Sequence, residues 1–300
     1  MKNENQKNSE IPTLFLHQGG INDVEIKSLH ECFRFLEANP KYHLPHQLTF
    51  YSIVIFIKNC GKHFIDFNEY TYKPGTIFLV AENQIHKYIV DYLSDGYVIS
   101  FTADFFNNSE TDISILNEYS LFNLNFSPVV ELSENEQKLI YPILKLFREE
   151  HLFYLENKPV LRKEILYTML KMILLKIESI KRKQTETITN KPYFNEYYRL
   201  KIAIEKNYLI HRRIDFYSNL LCLSEKKINS ISKLFSGKTV KQLIDQRIIL
   251  EIKRLLVNTS LSVKEVAFKT GFDDIPNFVN FFKKHTGSNT SEFRNNIDKS

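Results

Sequence analysis

Cysteine is scarce in this chain. Three thiols, Cys32, Cys60 and Cys222, are scattered over 300 residues with no CxxC spacing. That pattern excludes a disulfide scaffold and a zinc ribbon and fits a reduced, cytoplasmic compartment. Long apolar runs are missing as well. The richest stretch, LYTMLKMILLKI at 166–177, is interrupted by Lys171 and Lys176 and reads as an amphipathic helix, so no membrane partner is expected. The opening MKNENQKNSE is polar and leads into no apolar core long enough for a secretory signal. No low-complexity tract is present. What remains is an ordinary globular composition, 43% apolar and 25% charged, at a length that suits two domains better than one.

The charge is unevenly distributed. From residue 191 onward, twenty Lys and Arg stand against eleven Asp and Glu, a net of +9; the whole chain carries +5, which leaves the first 190 residues at −4. A basic C-terminal third behind a mildly acidic body is the electrostatic layout of a nucleic-acid-binding module joined to something else.

Short runs rich in β-branched and aromatic residues fill the first third: YSIVIFI (51–57), HFIDF (63–67), GTIFLVA (75–81), HKYIV (86–90) and YVISF (97–101). Turn residues separate them at Asn59–Gly61, Pro74-Gly75, Glu82-Asn83 and Asp95-Gly96, the punctuation of an antiparallel sandwich or barrel. Near Leu132 the period changes from 2 to 3.6. Ser133 and Glu136 form a capping-box pattern ahead of Ile140, Ile143, Leu144 and Phe147, and a second helix is expected to begin near Pro159. Its apolar series Leu166, Leu170, Ile173, Ile177, Ile180 makes a short heptad seam. The seam serves either to pack the helix on its own barrel or to join two subunits, and its narrowness favours the second. The polar stretch KRKQTETITNKP (181–192) is the expected linker. The expected division is therefore 1–130 barrel, 131–183 helical dimerisation segment and 193–300 helical domain.

The last third carries two helix-turn-helix patterns. Each has a small residue in its first helix, a turn residue four positions on, an apolar contact next, and an apolar anchor in the second helix. In DFYSNLLCLSEKKINSISKLF these are Ser218, Cys222, Leu223 and Ile228, with Ser224 placed to cap the second helix. In SVKEVAFKTGFDDIPNFVNFFKKHTG they are Ala267, Gly271, Phe272 and Phe278, the turn being one residue longer. Between them, 239–259 reads as one long amphipathic helix.

LSEKKINSISKLFSGKTVKQLIDQRIILEIKRLL, followed by LSVKEVAFKTGFDDIPNFVNFFKKHTGSNTSEFR, resembles the DNA-binding domain of the AraC/XylS family of bacterial transcriptional regulators. The string EVAFKTGFDD..NFVNFFKKHTG..SEFR is its most specific part, and the likeness spans roughly 195–297. PHQLTFYSIVIFIKNCGKHFIDFNEYTYKPGTIFLVAENQIH is similar to the cupin-type sensor barrel that many members carry in front. The resemblance implies a sequence-specific regulator of transcription. A cupin-like all-β barrel would sense an effector or partner, and a seven-helix all-α domain would bind double-stranded DNA, with a homodimer and contact to RNA polymerase expected. By similarity, Lys226, Asn229 and Ser230 on the first recognition helix and Ile275, Pro276, Asn277 and Asn280 on the second would meet bases, and Lys233, Lys283 and Lys284 phosphates.

A metal-binding cupin needs a clustered histidine pair, a carboxylate and a late histidine. Here the cluster is His43 and His46, the carboxylate position is Ser52, and His86 is the late histidine. The set is incomplete, so no metal, no cofactor and no catalytic residue is expected. His46 and His86 are instead candidates for lining an effector pocket. The competing readings are a metal-dependent cupin enzyme with an appended DNA-binding domain, and a constitutive DNA binder with no ligand.

Overall fold

In a computed structural model of the chain, the described residues are 13–14, 16, 24–106, 121–123, 126–157, 160–189 and 192–297. They divide into two compact units, one spanning Thr13–Pro192 and the other containing Tyr193–Ser300.

The first unit is built on two five-stranded sheets. One has the order β1 (Thr13–Leu14), β3 (His46–Leu48), β8 (Ile85–Tyr88), β5 (Gly61–Ile65), β6 (Asn68–Tyr72). The other runs β10 (Val129–Glu131), β7 (Thr76–Val80), β4 (Tyr51–Lys58), β9 (Asp95–Phe101), β2 (Val24–Ser28). The expected β runs sit in β4, β5, β7, β8 and β9. Strands β2, β3 and β10 and helix α1 (Leu29–Ala38) were not anticipated. Helix α1 is set by a local signal: the Ser28 hydroxyl accepts from the Glu31 backbone while the Glu31 carboxylate accepts from the Ser28 backbone, a capping box. A single turn, α2 (Ala103–Phe106), follows β9.

Strand β4 is buried on both faces, and that decides where the cores lie. Ile53 and Ile55 point to one side with Ile77, Leu79 and Ile99; Val54 and Phe56 point to the other with Phe78, Val80 and Phe33. The first cluster also contains Ile140, Leu144 and Phe147 of α3 (Glu134–Asn157) and Leu166, Leu170, Ile173, Ile177 and Ile180 of α4 (Arg162–Thr189). Helix α3 starts at the expected box, with Ser133 and Glu136 bonded reciprocally.

Two expectations about these helices are corrected. The heptad seam is no subunit interface: its five residues are 0–7% exposed within a single chain, packed on α3 and the sheet. The physical reason is that the outer face of a sheet asks for the same narrow apolar stripe as a partner helix does. Each seam leucine or isoleucine is worth roughly 1.5–3 kcal/mol of burial there, so the helical pair belongs to the barrel unit and is no separate segment. Nor is 181–192 an irregular linker, since α4 continues to Thr189. Polar composition alone did not tell a helical stretch from an irregular one. Pro159 lies outside the described residues.

The second unit has seven helices among the described residues: α5 (Phe194–Asn207), α6 (Ile214–Leu220), α7 (Glu225–Ser236), α8 (Val240–Asn258), α9 (Val263–Lys269), α10 (Ile275–Thr286) and α11 (Thr290–Ile297). One core joins them, including Ile204, Tyr217, Ile228, Ile244, Ile248, Ile252, Ala267, Phe278 and Phe282. Helix α8 is the long connector, opened by a Thr239–Gln242 capping box. Its Arg247 is 7% exposed, bonded to Glu205 at 2.9–3.0 Å and to Glu251 at 3.0 Å, with its guanidinium 4.0 Å from the Tyr208 ring centre. A buried cation is tolerated because its donors are matched by carboxylates. Arg294 of α11 donates to the carbonyls of Leu256 in the last turn of α8 and Leu261 in the loop after it, so the arginine of the SEFR string has a structural task.

Candidate nucleic-acid interface and effector cavity

Helices α6 and α7 form one helix-turn-helix, α9 and α10 the other. Ser218 and Ala267 are buried where the second helix crosses the first, and Ile228 and Phe278 are the buried anchors. The turns close alike: the Leu223 N–H donates to the Ser218 carbonyl and the Phe272 N–H to the Ala267 carbonyl, each at 2.9 Å. Cys222 and Gly271 occupy the left-handed turn position at φ 54° and 76°. Ser224 caps α7 through the Lys227 N–H, and Asp274 caps α10 through the Asn277 N–H. Both second helices end on a left-handed glycine, Gly237 and Gly287.

The outward residues of α7 are Lys226, Ser230 and Lys233, all exposed; the Ser230 hydroxyl donates to the Lys226 carbonyl. Asn229 departs from its expected role. It is half-buried, and its Oδ1 accepts the Val240 N–H at 3.1 Å, so it caps the start of α8. That bond takes one of the two lone pairs of Oδ1 and leaves the other, with the amide N–H groups, for any base edge. Lys227, beside it, lies with Nζ 3.2 Å from the centre of the Tyr193 ring, a contact the sequence did not reveal. On α10 the four expected residues Ile275, Pro276, Asn277 and Asn280 are exposed together with Lys283 and Lys284. The Asn277 amide nitrogen donates to Asp274 at 2.5 Å.

In the barrel unit, an open-mouthed cavity of about 610 Å³, part of it solvent, lies between the sheets and α1. Its wall is mainly apolar, with Leu48, Phe50 and Val98 prominent, and its polar groups include Lys27, His46, Ser52 and His86. Both expected histidines therefore face it. His43 is exposed elsewhere. A third histidine that sequence reading missed, His63, joins them because the antiparallel registers place β3, β8 and β5 side by side, with His46 opposite His86 and His63 opposite Tyr88. The rings of His46 and His86 are 4.4 Å apart, those of His63 and His86 5.6 Å. Burial holds these imidazoles neutral: it pulls His46 down to about 4 and His63 to about 3, and it lowers His86 well below the usual range. The same burial pushes the Cys32 thiol up to about 12. Among the described residues, no group of three or more His, Cys, Asp or Glu is arranged to hold a metal ion.

Residues 217–296 match the family model of a helix-turn-helix domain, and residues 30–153 match that of an AraC-like ligand binding domain. The chain is 30% identical over 84 residues to a probable transcription factor, PqrA of Proteus vulgaris, a match covering 28% of this chain and 69% of that protein. The chain belongs to the AraC family. It is a transcriptional regulator with an N-terminal ligand-binding domain and a C-terminal DNA-binding one. An uncharacterised regulator of the helix-turn-helix type, YdiP of Escherichia coli, is 28% identical over 102 residues, 34% of this AraC-family chain and only 30% of YdiP. Among solved structures, ToxT of Vibrio cholerae aligns over 91% of this chain and 98% of its own at 13% identity and a TM-score of 0.42. No described helix is long and apolar enough to cross a membrane.

Proposed function

We propose that this AraC-family regulator reads DNA with α7 and α10 in successive major grooves, as a cytoplasmic homodimer acting by binding rather than by catalysis. The observation that carries the reading is the equivalence of the two exposed helix faces. Lys226 and Ser230 on α7, and Ile275, Pro276, Asn277 and Asn280 on α10, occupy the N-terminal outward positions that reach base edges when such a helix enters a groove. Lys226 suits guanine O6 and N7; Ile275 and Pro276 offer apolar contact to a thymine methyl. Lys233, Lys283 and Lys284 lie further along and meet phosphates. The framework residues Ser218, Leu223, Ile228, Ala267, Gly271, Phe272 and Phe278 would hold each second helix against its first.

For the dimer, the outer faces of the helical pair replace the buried seam. Leu139, Leu146 and Phe153 recur every seven residues on α3 and are exposed, as are Ile165 and Met172 on α4. A small effector in the cavity would act by differential affinity for the forms of the protein that do and do not hold paired DNA sites or RNA polymerase.

The test is binding of the full chain to duplexes selected from a random pool and to scrambled duplexes across a salt series. We expect a clear preference for the selected sequence and a steep loss of affinity with salt, as lysines meeting phosphates release counterions. Equal affinity for both duplexes at every salt concentration would refute sequence reading.

A further inference from the structure

The histidine cluster leaves five ring nitrogens without a hydrogen-bond partner among the described residues: Nε2 of His46 and both nitrogens of His63 and His86. All three side chains are 0–2% exposed. Buried polar atoms are nearly always bonded, and three of these five, Nε2 of His46 and both nitrogens of His86, belong to residues that line the cavity, so they mark a place where something else supplies the partners. We propose that this cavity binds a small weak acid, one carboxylate-type group on a compact apolar body, with the acid group seated on His46 and His86 and one proton taken up on binding.

The argument rests on reading the barrel as the effector-binding part, and it starts from charge. Groups that could answer an imidazolium or a carboxylate surround the cluster on every side. They are Tyr42 in the turn before β3, Cys32 on α1, Glu25 and Lys27 on β2, Ser52 on β4, Tyr70 and Tyr72 on β6, Tyr88 on β8 and Asp66 in the β5–β6 turn. Burial keeps Cys32 and Tyr88 protonated. The Asp66 carboxylate accepts from Gln84 at 2.7 Å and the Tyr72 hydroxyl is bonded to Ser94. Lys27 is bridged to Glu25 at 2.8 Å, so the mouth of the cavity contributes no net cation.

A neutral imidazole offers one N–H and one lone pair; His46 spends its N–H on the Leu44 carbonyl, 3.1 Å from Nδ1, whereas the His86 proton can sit on either nitrogen. His86 can therefore donate an N–H to one oxygen of the acid group, while the Nε2 lone pair of His46 accepts a proton at the other. Neutral donors alone would still leave a desolvated anion, which is costly in an apolar wall. One proton, carried by an imidazole or by the acid itself, removes that cost. The proton comes from solvent, no covalent bond changes, and the bound pair is neutral overall. Leu48, Phe50 and Val98 then face the apolar body.

The test uses the full-length protein, cyclohexanecarboxylate as probe, and cyclohexylmethanol as its uncharged counterpart. Calorimetric titrations at pH 6 and pH 8, in buffers of different ionisation enthalpy, count the protons taken up. We expect the acid to bind at least tenfold more tightly than the alcohol at pH 6, with uptake of about one proton. Its affinity should weaken with rising pH, by up to about tenfold per unit. His86→Gln and His46→Gln, two independent variants that keep hydrogen-bonding capacity but accept no proton, should each bind the acid more weakly than the wild type. An alcohol that binds as well as the acid would overturn the proposal, as would acid binding without proton uptake or no binding of either probe to folded protein. Zinc or nickel ions that displace the acid and raise the melting temperature further would make this a metal site and overturn it too. DNA affinity measured without probe on the same preparation separates the two readings. Lost DNA binding with intact acid uptake would sink the proposed function alone, and the reverse would sink only this inference.

Discussion

The two helix-turn-helix units are one frame used twice, and their differences show what is frame and what is reading surface. Adding fifty to a residue number in the second helix of the first unit gives its counterpart in the other. Ser224 maps to Asp274 as cap, Ile228 to Phe278 as anchor, Lys233 to Lys283, and Gly237 to Gly287 as helix stop. Chemistry is kept at each of these places. On the outward face it is not: Lys226 faces Pro276 in this alignment and Ser230 faces Asn280. The first unit presents a cation where the second presents an apolar ring, so they suit different bases. Asn229 aligns with Val279, which packs against the core of its domain. The position after the anchor points inward in both units, and that explains why Asn229 caps α8 instead of facing out.

The largest effects expected from breaking this equivalence are at the anchors. Phe278→Ala should cost about 3–5 kcal/mol and Ile228→Ala about 2–5 kcal/mol of stability, measured by urea melts, because both are wholly buried. Lys226→Ala should lose about 1–3 kcal/mol on a selected duplex and little on a scrambled one. Pro276→Ala should lose less, and equal losses from the pair on both duplexes would erase the distinction between the faces. The turn position discriminates in a different way. A Cβ at Gly271 would lie 2.6 Å from the Leu209 carbonyl oxygen and demand φ +76°, so Gly271→Ala should cost about 2 kcal/mol. Cys222→Gly, at φ 54°, should raise thermal stability by roughly 0.5 kcal/mol. Asn229→Ala should lose about 1 kcal/mol of stability and weaken both duplexes alike, as expected of a lost cap. The smallest effect belongs to Lys233→Ala and Lys283→Ala, each making the salt slope shallower by about one unit. A slope unchanged in one of the two would show that its helix leaves the groove earlier.

Much of this was legible in the sequence, for physical reasons that differ by region. The helical domain is written in local code: caps such as Ser224, turn residues such as Gly271, and anchors at fixed spacing act within a few residues of one another. The strands β4, β7 and β9 were legible for the same reason, as continuous apolar runs. The histidine cluster was only partly so. His46 and His86 were found through a resemblance, while His63 is brought in by strand register, its pairing with Tyr88 across twenty-five residues, which no local pattern announces. The seam on α4 was legible as a stripe but not as to its partner, since a stripe of leucine and isoleucine does not say whether a sheet or a second chain will cover it. Asn229 misled because exposure was inferred from helical spacing, whereas its partner, Val240, lies in the following helix.

The extension of helix α4 to Thr189 leaves a very short leash. Helix α5 begins at Phe194, so four residues join the two compact units. Fully stretched, such a tether spans only about 13–14 Å. If two chains associate, the second unit meets its half-site at a local concentration set by that leash and not by the cell's protein content. Lengthening the tether with flexible residues should then dilute the second contact. Affinity for paired sites would fall, and tolerance for altered spacing between them would rise.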